Sequence, residues 1–165
     1  FLARTLTGHI AESFSYDGGK TWTQTRESDI PNPATRFYIG RLKNRMLLLV
    51  NTPSSVRGDR KGLIASLSMD DGRTWSYHLQ LDDRRSTTYP DVAEGADGSV
   101  YVIYDCQRSN RQEICKEDAM KSTAAKEICM AKFTIKDIKN QEITNPHSYT
   151  GRIISKSDYS SRELG

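Results

Sequence analysis

No stretch of this chain approaches the roughly 18 consecutive apolar residues that a membrane-spanning helix needs. The longest apolar run, Met46-Leu47-Leu48-Leu49-Val50, has the length of a buried strand. Charge of one sign is lacking too. The 24 Lys and Arg oppose 21 Asp and Glu, leaving a formal net charge of +3 with both signs interspersed. There is therefore no basic tail that would point to a nucleic acid. Collagen periodicity and low-complexity tracts are absent, and 36% hydrophobic with 27% charged residues is not the balance of a disordered chain. Cysteine is scarce and odd in number, so Cys106, Cys115 and Cys129 cannot all pair within the chain. Inert thiols, or at most one bridge, are expected. No Cys-x-x-Cys or His-x-x-x-His spacing supports zinc, and neither a metal nor a cofactor is expected. The opening residues Phe1-Leu2-Ala3-Arg4-Thr5 carry neither a starting Met nor a signal-peptide pattern, as expected of a chain that begins inside a longer protein. A length of 165 residues suits one domain with a core, or part of a larger one.

What is present is a repeat. Ser15-Tyr16-Asp17-Gly18-Gly19-Lys20-Thr21-Trp22 returns as Ser68-Met69-Asp70-Asp71-Gly72-Arg73-Thr74-Trp75, and the starts at 15 and 68 define an offset of 53 residues. The offset also lays Ile10–Ser15 on Leu63–Ser68, Met46–Val50 on Ser99–Ile103, and the turn Asn44-Arg45 on Asp97-Gly98. Asp followed by Gly supports a tight turn, because the carboxylate accepts local backbone bonds and Gly tolerates positive φ. Ser and Thr add side-chain bonds across it, and Trp buries a ring as the next strand starts. The octamer thus reads as a hairpin turn with a structural role.

The flanking runs predict strands at Ile10–Ser15, Trp22–Gln24, Arg36–Leu42, Met46–Asn51, Leu63–Ser68, Trp75–Leu81, Tyr89–Glu94, Ser99–Asp105, Ile128–Phe133 and Arg152–Ser155. Four short antiparallel strands per repeat of roughly 40–55 residues is the pattern of a propeller blade. The fold class expected is all-β, with about two and a half blades of four antiparallel strands. Approximate blades are 1–30, 31–83 and 84–160. A β-sandwich is the alternative architecture. An insertion over 107–127 breaks the plan: it is rich in Glu, Lys, Ala and Met, with Glu117 and Lys121 at helical spacing, and reads as a helical or loose segment with a solvated charged face.

The two Ser-x-Asp-x-Gly-x-Thr-Trp octamers resemble the Asp-box of the sialidase (neuraminidase) superfamily. The stretch from Tyr89 to Asp105 is also similar to that superfamily: a Tyr, then Asp97-Gly98 at a turn, then a strand ending in an acid. The resemblance implies a six-bladed propeller with its site at the central axis, of which residues 1–165 would be the C-terminal part and would need the remaining N-terminal blades. It also implies an exo-sialidase-like glycoside hydrolase of acidic glycans, secreted or periplasmic. Two alternatives are a non-catalytic Asp-box propeller that binds glycan or protein, and a polysaccharide-active enzyme of different mechanism on the same fold.

The chemistry of such a site asks for arginines that clamp a carboxylate through bidentate, charge-assisted bonds. It also asks for a neutral Tyr nucleophile assisted by a base, since a phenol with a reference pKa near 10 is a poor nucleophile alone. By resemblance, Tyr89 is the candidate nucleophile at the start of an innermost strand, against the alternative of a core Tyr. Asp105 resembles the acid that orients one Arg, against a turn Asp. Arg60 precedes a strand where the family places an Arg of the cluster, and Arg57 competes for the role. Either is otherwise a solvated loop Arg. Arg36 falls at the offset-equivalent of Tyr89 and should face the axis as a substrate-binding residue. It stands near where the family carries the Glu base, and Asn51 stands near where it carries a further Arg. Ser15, Asp17, Gly19, Thr21, Trp22, Ser68, Asp70, Gly72, Thr74 and Trp75 are the structural Asp-box positions. His9 reads as a structural or surface His, and Glu12 points inward or outward according to register.

Overall fold

A computed structural model describes residues 1–106 and 126–157. These residues form three antiparallel sheets. The first holds β1 (Leu2–Ala3), β2 (His9–Glu12) and β3 (Arg26–Pro31), neighbours in that order. The second holds β4 (Tyr38–Arg41), β5 (Leu47–Asn51), β6 (Lys61–Ser68) and β7 (Ser76–Arg85). The third holds β8 (Thr88–Glu94), β9 (Val100–Cys106), β10 (Lys126–Phe133) and β11 (Tyr149–Ser157), with one short helix, α1 (Ile135–Asn140), between its last two strands. Each strand pairs with the next in sequence inside its sheet, so each sheet is a meander. The described residues are thus all-β apart from α1, in blade-like sheets.

The apolar run at Leu47 becomes β5, and Leu48, Leu49 and Val50 are all buried because sheets cover both of its faces. Strand β9 alternates instead: Val100, Val102, Tyr104 and Cys106 point inward, while Ile103 is 44% exposed on the other face. These inward residues join Leu63, Ala65, Leu67, Leu79 and Leu81 of the second sheet and Cys129, Ala131 and Phe133 of the third in one core.

The repeat register holds at atomic detail. Asn44 Oδ1 accepts from Met46 N at 3.0 Å, and Asp97 Oδ1 accepts from Ser99 N at 3.0 Å. The paired turn positions Arg45 and Gly98 both have positive φ, 72° and 78°. In the first octamer Asp17 accepts from Thr21 N at 2.9 Å and Thr21 Oγ1 at 2.6 Å; in the second Asp70 accepts from Thr74 N at 2.9 Å and Thr74 Oγ1 at 2.6 Å. Ser15 and Ser68 each accept from the Gly four residues on at 2.8 Å. Hydrogen bonds from Thr21 and Thr74, outweighing partial desolvation, hold both carboxyls down to about 2.

Two expectations are corrected. No strand starts at Trp22; the octamer runs on through an irregular stretch and β3 begins at Arg26. Trp22 is half exposed rather than buried, standing edge-on to Phe1 with centroids 5.2 Å apart. The third sheet has α1 where an octamer would stand. Its carboxylate is Asp137, which caps the helix through Thr134 and also accepts from Thr144, Asn145 and Ser148. Burial works against ionising Asp137, but these donors overcome it and hold the carboxyl well below the usual range. The insertion expected at 107–127 lies outside the described residues, save Lys126 and Glu127, which open β10.

Candidate functional site

Strand direction sorts the singled-out residues. Chains run from one end of the sheets to the other and back, so the starts of β4, β6 and β8 share an end with the finishes of β5, β7 and β9. Arg36, Arg57, Arg60, Tyr89 and Asp105 all fall at that end. Both octamers fall at the opposite end, between β2 and β3 and between β6 and β7. The first strands of the second and third sheets, β4 and β8, stand side by side: Lys43 N donates to Glu94 Oε2 at 2.7 Å at the octamer end.

At the other end of the same strands, Arg36 and Tyr89 meet. The guanidinium carbon lies 6.0 Å from the ring centroid. The two line a cavity of about 400 Å³ with Leu2, Arg4 and Phe37. Tyr89 is 38% exposed, so it is not a core residue. Its φ is 55°, in the left-handed region, and the pairing with β9 breaks register there, between Thr88 and Asp91. Bulky residues hold that conformation only where the surroundings impose it, and such strain clusters at functional sites. Next to it, the buried Thr88 hydroxyl donates a short hydrogen bond to Asp105. That bond fixes the end of β9 to the start of β8.

The structure brings Arg36 and Tyr89 to one cavity and adds Arg4, which the sequence reasoning passed over. The repeat held a signal: at an offset of 53, Arg4 falls on Arg57, and both sit in equivalent loops, β1–β2 and β5–β6. Arg57 is exposed in its loop and Arg60 is partly buried just before β6; neither lines that cavity. Asn51 is buried and serves the scaffold, donating to Pro31 O at 2.9 Å. Glu12 points inward and pairs with Arg26 at 2.9 Å, and His9 lies 3.4 Å from Glu27. A larger groove of about 510 Å³ opens between the first and second sheets. It holds the Ser66–His78 hydrogen bond, 2.8 Å, and Trp75, but neither Tyr89 nor Arg36.

A buried polar cluster, also unforeseen, joins the second sheet to the third. Asp82 on β7 accepts from Tyr104 OH at 2.8 Å and Arg84 Nη2 at 2.6 Å. Arg84 continues to Glu127 Oε2 at 3.1 Å, Cys129 Sγ at 3.3 Å and Gly151 O at 3.3 Å. Burial would raise the Asp82 carboxyl, but the bonds from Arg84 and Tyr104 outweigh it and hold it below its ordinary value. Burial and the bond to Asp82 push the Tyr104 phenol far up. Asp82, Cys106 and Cys129 place ligand-type atoms within 4.8 Å of one another. The Arg84 guanidinium sits among those atoms, and its fixed charge opposes a cation there.

No helix among the described residues is long and apolar enough to cross a membrane. A family model described as a BNR repeat-like domain matches residues 1–102, more than half of the chain. No curated protein matches it.

Proposed function

The chain belongs to the BNR repeat-like family, and from that premise we propose that it is part of a sialidase-like glycoside hydrolase acting on acidic glycans. The observation that carries this is Tyr89 and Arg36 facing one cavity, with Arg4 beside them. Two guanidiniums at one opening suit a sugar carboxylate, since each offers planar, bidentate, charge-assisted donors. Tyr89 is exposed enough to reach a bound sugar, and its left-handed backbone marks a residue held in place by its surroundings. In this reading Tyr89 is the nucleophile, Arg36 and Arg4 hold the carboxylate, and Arg57 and Arg60 add positive charge at the same end of the sheets. Asp105 positions the start of β8 through Thr88.

A second reading rests on Arg36 itself. Where the resemblance puts a Glu base stands a cation that cannot take a proton, which favours a propeller that binds acidic glycans without cleaving them. The test is hydrolysis of aryl sialosides and acidic oligosaccharides by the intact protein and its Tyr89→Phe variant, alongside glycan binding. Hydrolysis abolished in Tyr89→Phe with binding retained supports the hydrolase. Binding without turnover in either protein supports the second reading. Equal turnover by both removes Tyr89 from the chemistry.

A further inference from the structure

We propose that Cys106 and Cys129 form an intrachain disulfide when the protein folds in an oxidising milieu, and that Cys115 is the odd thiol left over. The two residues stand on adjacent antiparallel strands, β9 and β10, either side of residues 107–125. Cys106 is opposite Glu127 and Cys129 opposite Tyr104, so the pair is diagonal across the ladder. Both side chains lean into the same core pocket, both are fully buried, and their sulfurs are 3.1 Å apart. At that distance Cys129 donates a weak S–H···S hydrogen bond to Cys106. Reaching a disulfide length near 2.05 Å takes about 1 Å of closure between the sulfurs, and because diagonal neighbours stand roughly 7–8 Å apart the two strands draw together as the bond forms.

The surroundings tolerate the bond. Asp82 and Arg84 border the sulfurs but satisfy each other, so losing the weak contacts from Cys106 to Asp82 and from Arg84 to Cys129 leaves neither charge bare. As thiols, the two are weak donors in an otherwise charge-rich pocket. The exchange balances with a small-molecule disulfide such as oxidised glutathione. One protein thiolate attacks it, giving a mixed disulfide and one released thiol. The second cysteine then attacks the protein sulfur of that mixed disulfide and releases the second thiol. The protein loses two hydrogens and the small disulfide becomes two thiols. Because both sulfurs are shut off from solvent in the folded chain, the exchange belongs to folding, before β9 and β10 close over them. The bond then closes the connection between the two strands, which limits the unfolded chain and raises the melting temperature by roughly 5–10 °C.

The test is refolding of the intact protein in a glutathione redox buffer and, separately, under full reduction. Free thiols are then alkylated in denaturant and the protein is digested with trypsin without reduction. The expected product is lighter by two hydrogens. It yields residues 86–108 joined to residues 127–132, while residues 112–116 carry an alkylated Cys115. The variant Cys115→Ser gives the same linked pair. An unchanged mass after refolding, a product stalled with glutathione attached, or a bridge through residues 112–116 overturns the pairing. A bridged protein that melts no higher than the reduced one overturns its role as a staple. Because mapping uses the wild-type chain, a Cys106→Ser variant that fails to fold does not blunt the result.

Discussion

Replacing Arg84 with Ala removes a cation shared by two buried carboxylates on different sheets. The Arg84 side chain is 34% exposed, but Asp82 is 2% and Glu127 4% exposed. Stripping the partner from a buried charge costs about 3–5 kcal/mol, far above the 0–1 kcal/mol of a surface pair. Two compensations lower the figure here. Asp82 keeps the Tyr104 hydroxyl, and Glu127 keeps Lys156 at 3.4 Å. Water entering where the guanidinium stood lowers it further. We expect a loss of about 2–4 kcal/mol, which for a chain of this size is a fall in melting temperature of roughly 5–15 °C. Urea unfolding followed by circular dichroism measures it, with exposed Arg85→Ala as the control expected to stay within about 0.5 kcal/mol. The loss must also depend on pH. The Asp82 carboxyl is held below its unfolded value, so its contribution is present above the unfolded pKa and lost as pH falls through the folded one. The gap between wild type and variant is therefore wide at neutral pH and narrows as Asp82 protonates. A loss equal to that of Arg85→Ala, or a gap that ignores pH, would refute the cluster as the joint between sheets.

Asp17 and Asp70, both held down to about 2, support their turns fully above pH 4 and release them as pH drops toward 2; the Thr21 and Thr74 amide resonances should shift together over that window. Asp137→Ala strips its donors, including the Thr144 and Asn145 amides, and should cost about 2–3 kcal/mol while loosening the connection 134–148, read by hydrogen exchange. Gly8→Ala places a methyl against the Ser55 carbonyl oxygen at a backbone φ of 97°, so a drop in melting temperature is expected even though the change is one carbon. In a binding assay with an acidic oligosaccharide, Arg36→Ala and Arg4→Ala should each weaken affinity roughly tenfold or more, and high salt should narrow that difference.

Features written in consecutive residues were legible. The octamers carry their own acceptor, glycines and hydroxyl donors within eight positions, so their bonding and the strands around them follow locally. The offset of 53 placed Arg36 against Tyr89 because equivalent positions of neighbouring sheets meet at one end. What stayed hidden depends on pairings between distant strands. Nothing near Arg84 announces Glu127 or Cys129, which reach it only through the β9–β10 register across residues 107–125. The Asp137 hub resembles no octamer in sequence although it performs the same bonding. Arg4 lies outside the motif, and only the offset to Arg57 marks it in the sequence. Trp22 misled because the ring packs edge-on against Phe1 at the surface instead of entering a core.

The separation of the two ends carries a consequence for change over time. Turns that set the strands sit at one end, and the cavity with its arginines and tyrosine sits at the other, joined by strands whose side chains are committed to packing. Substitutions at the cavity end share no partners with the turn carboxylates, so their stability effects should add rather than compound. The third sheet shows such independence within one chain: a helix and one aspartate stand where the other two sheets carry an octamer, while its opposite end still contributes Tyr89 to the cavity. A scaffold divided in this way can exchange one ligand for another without relearning how to fold.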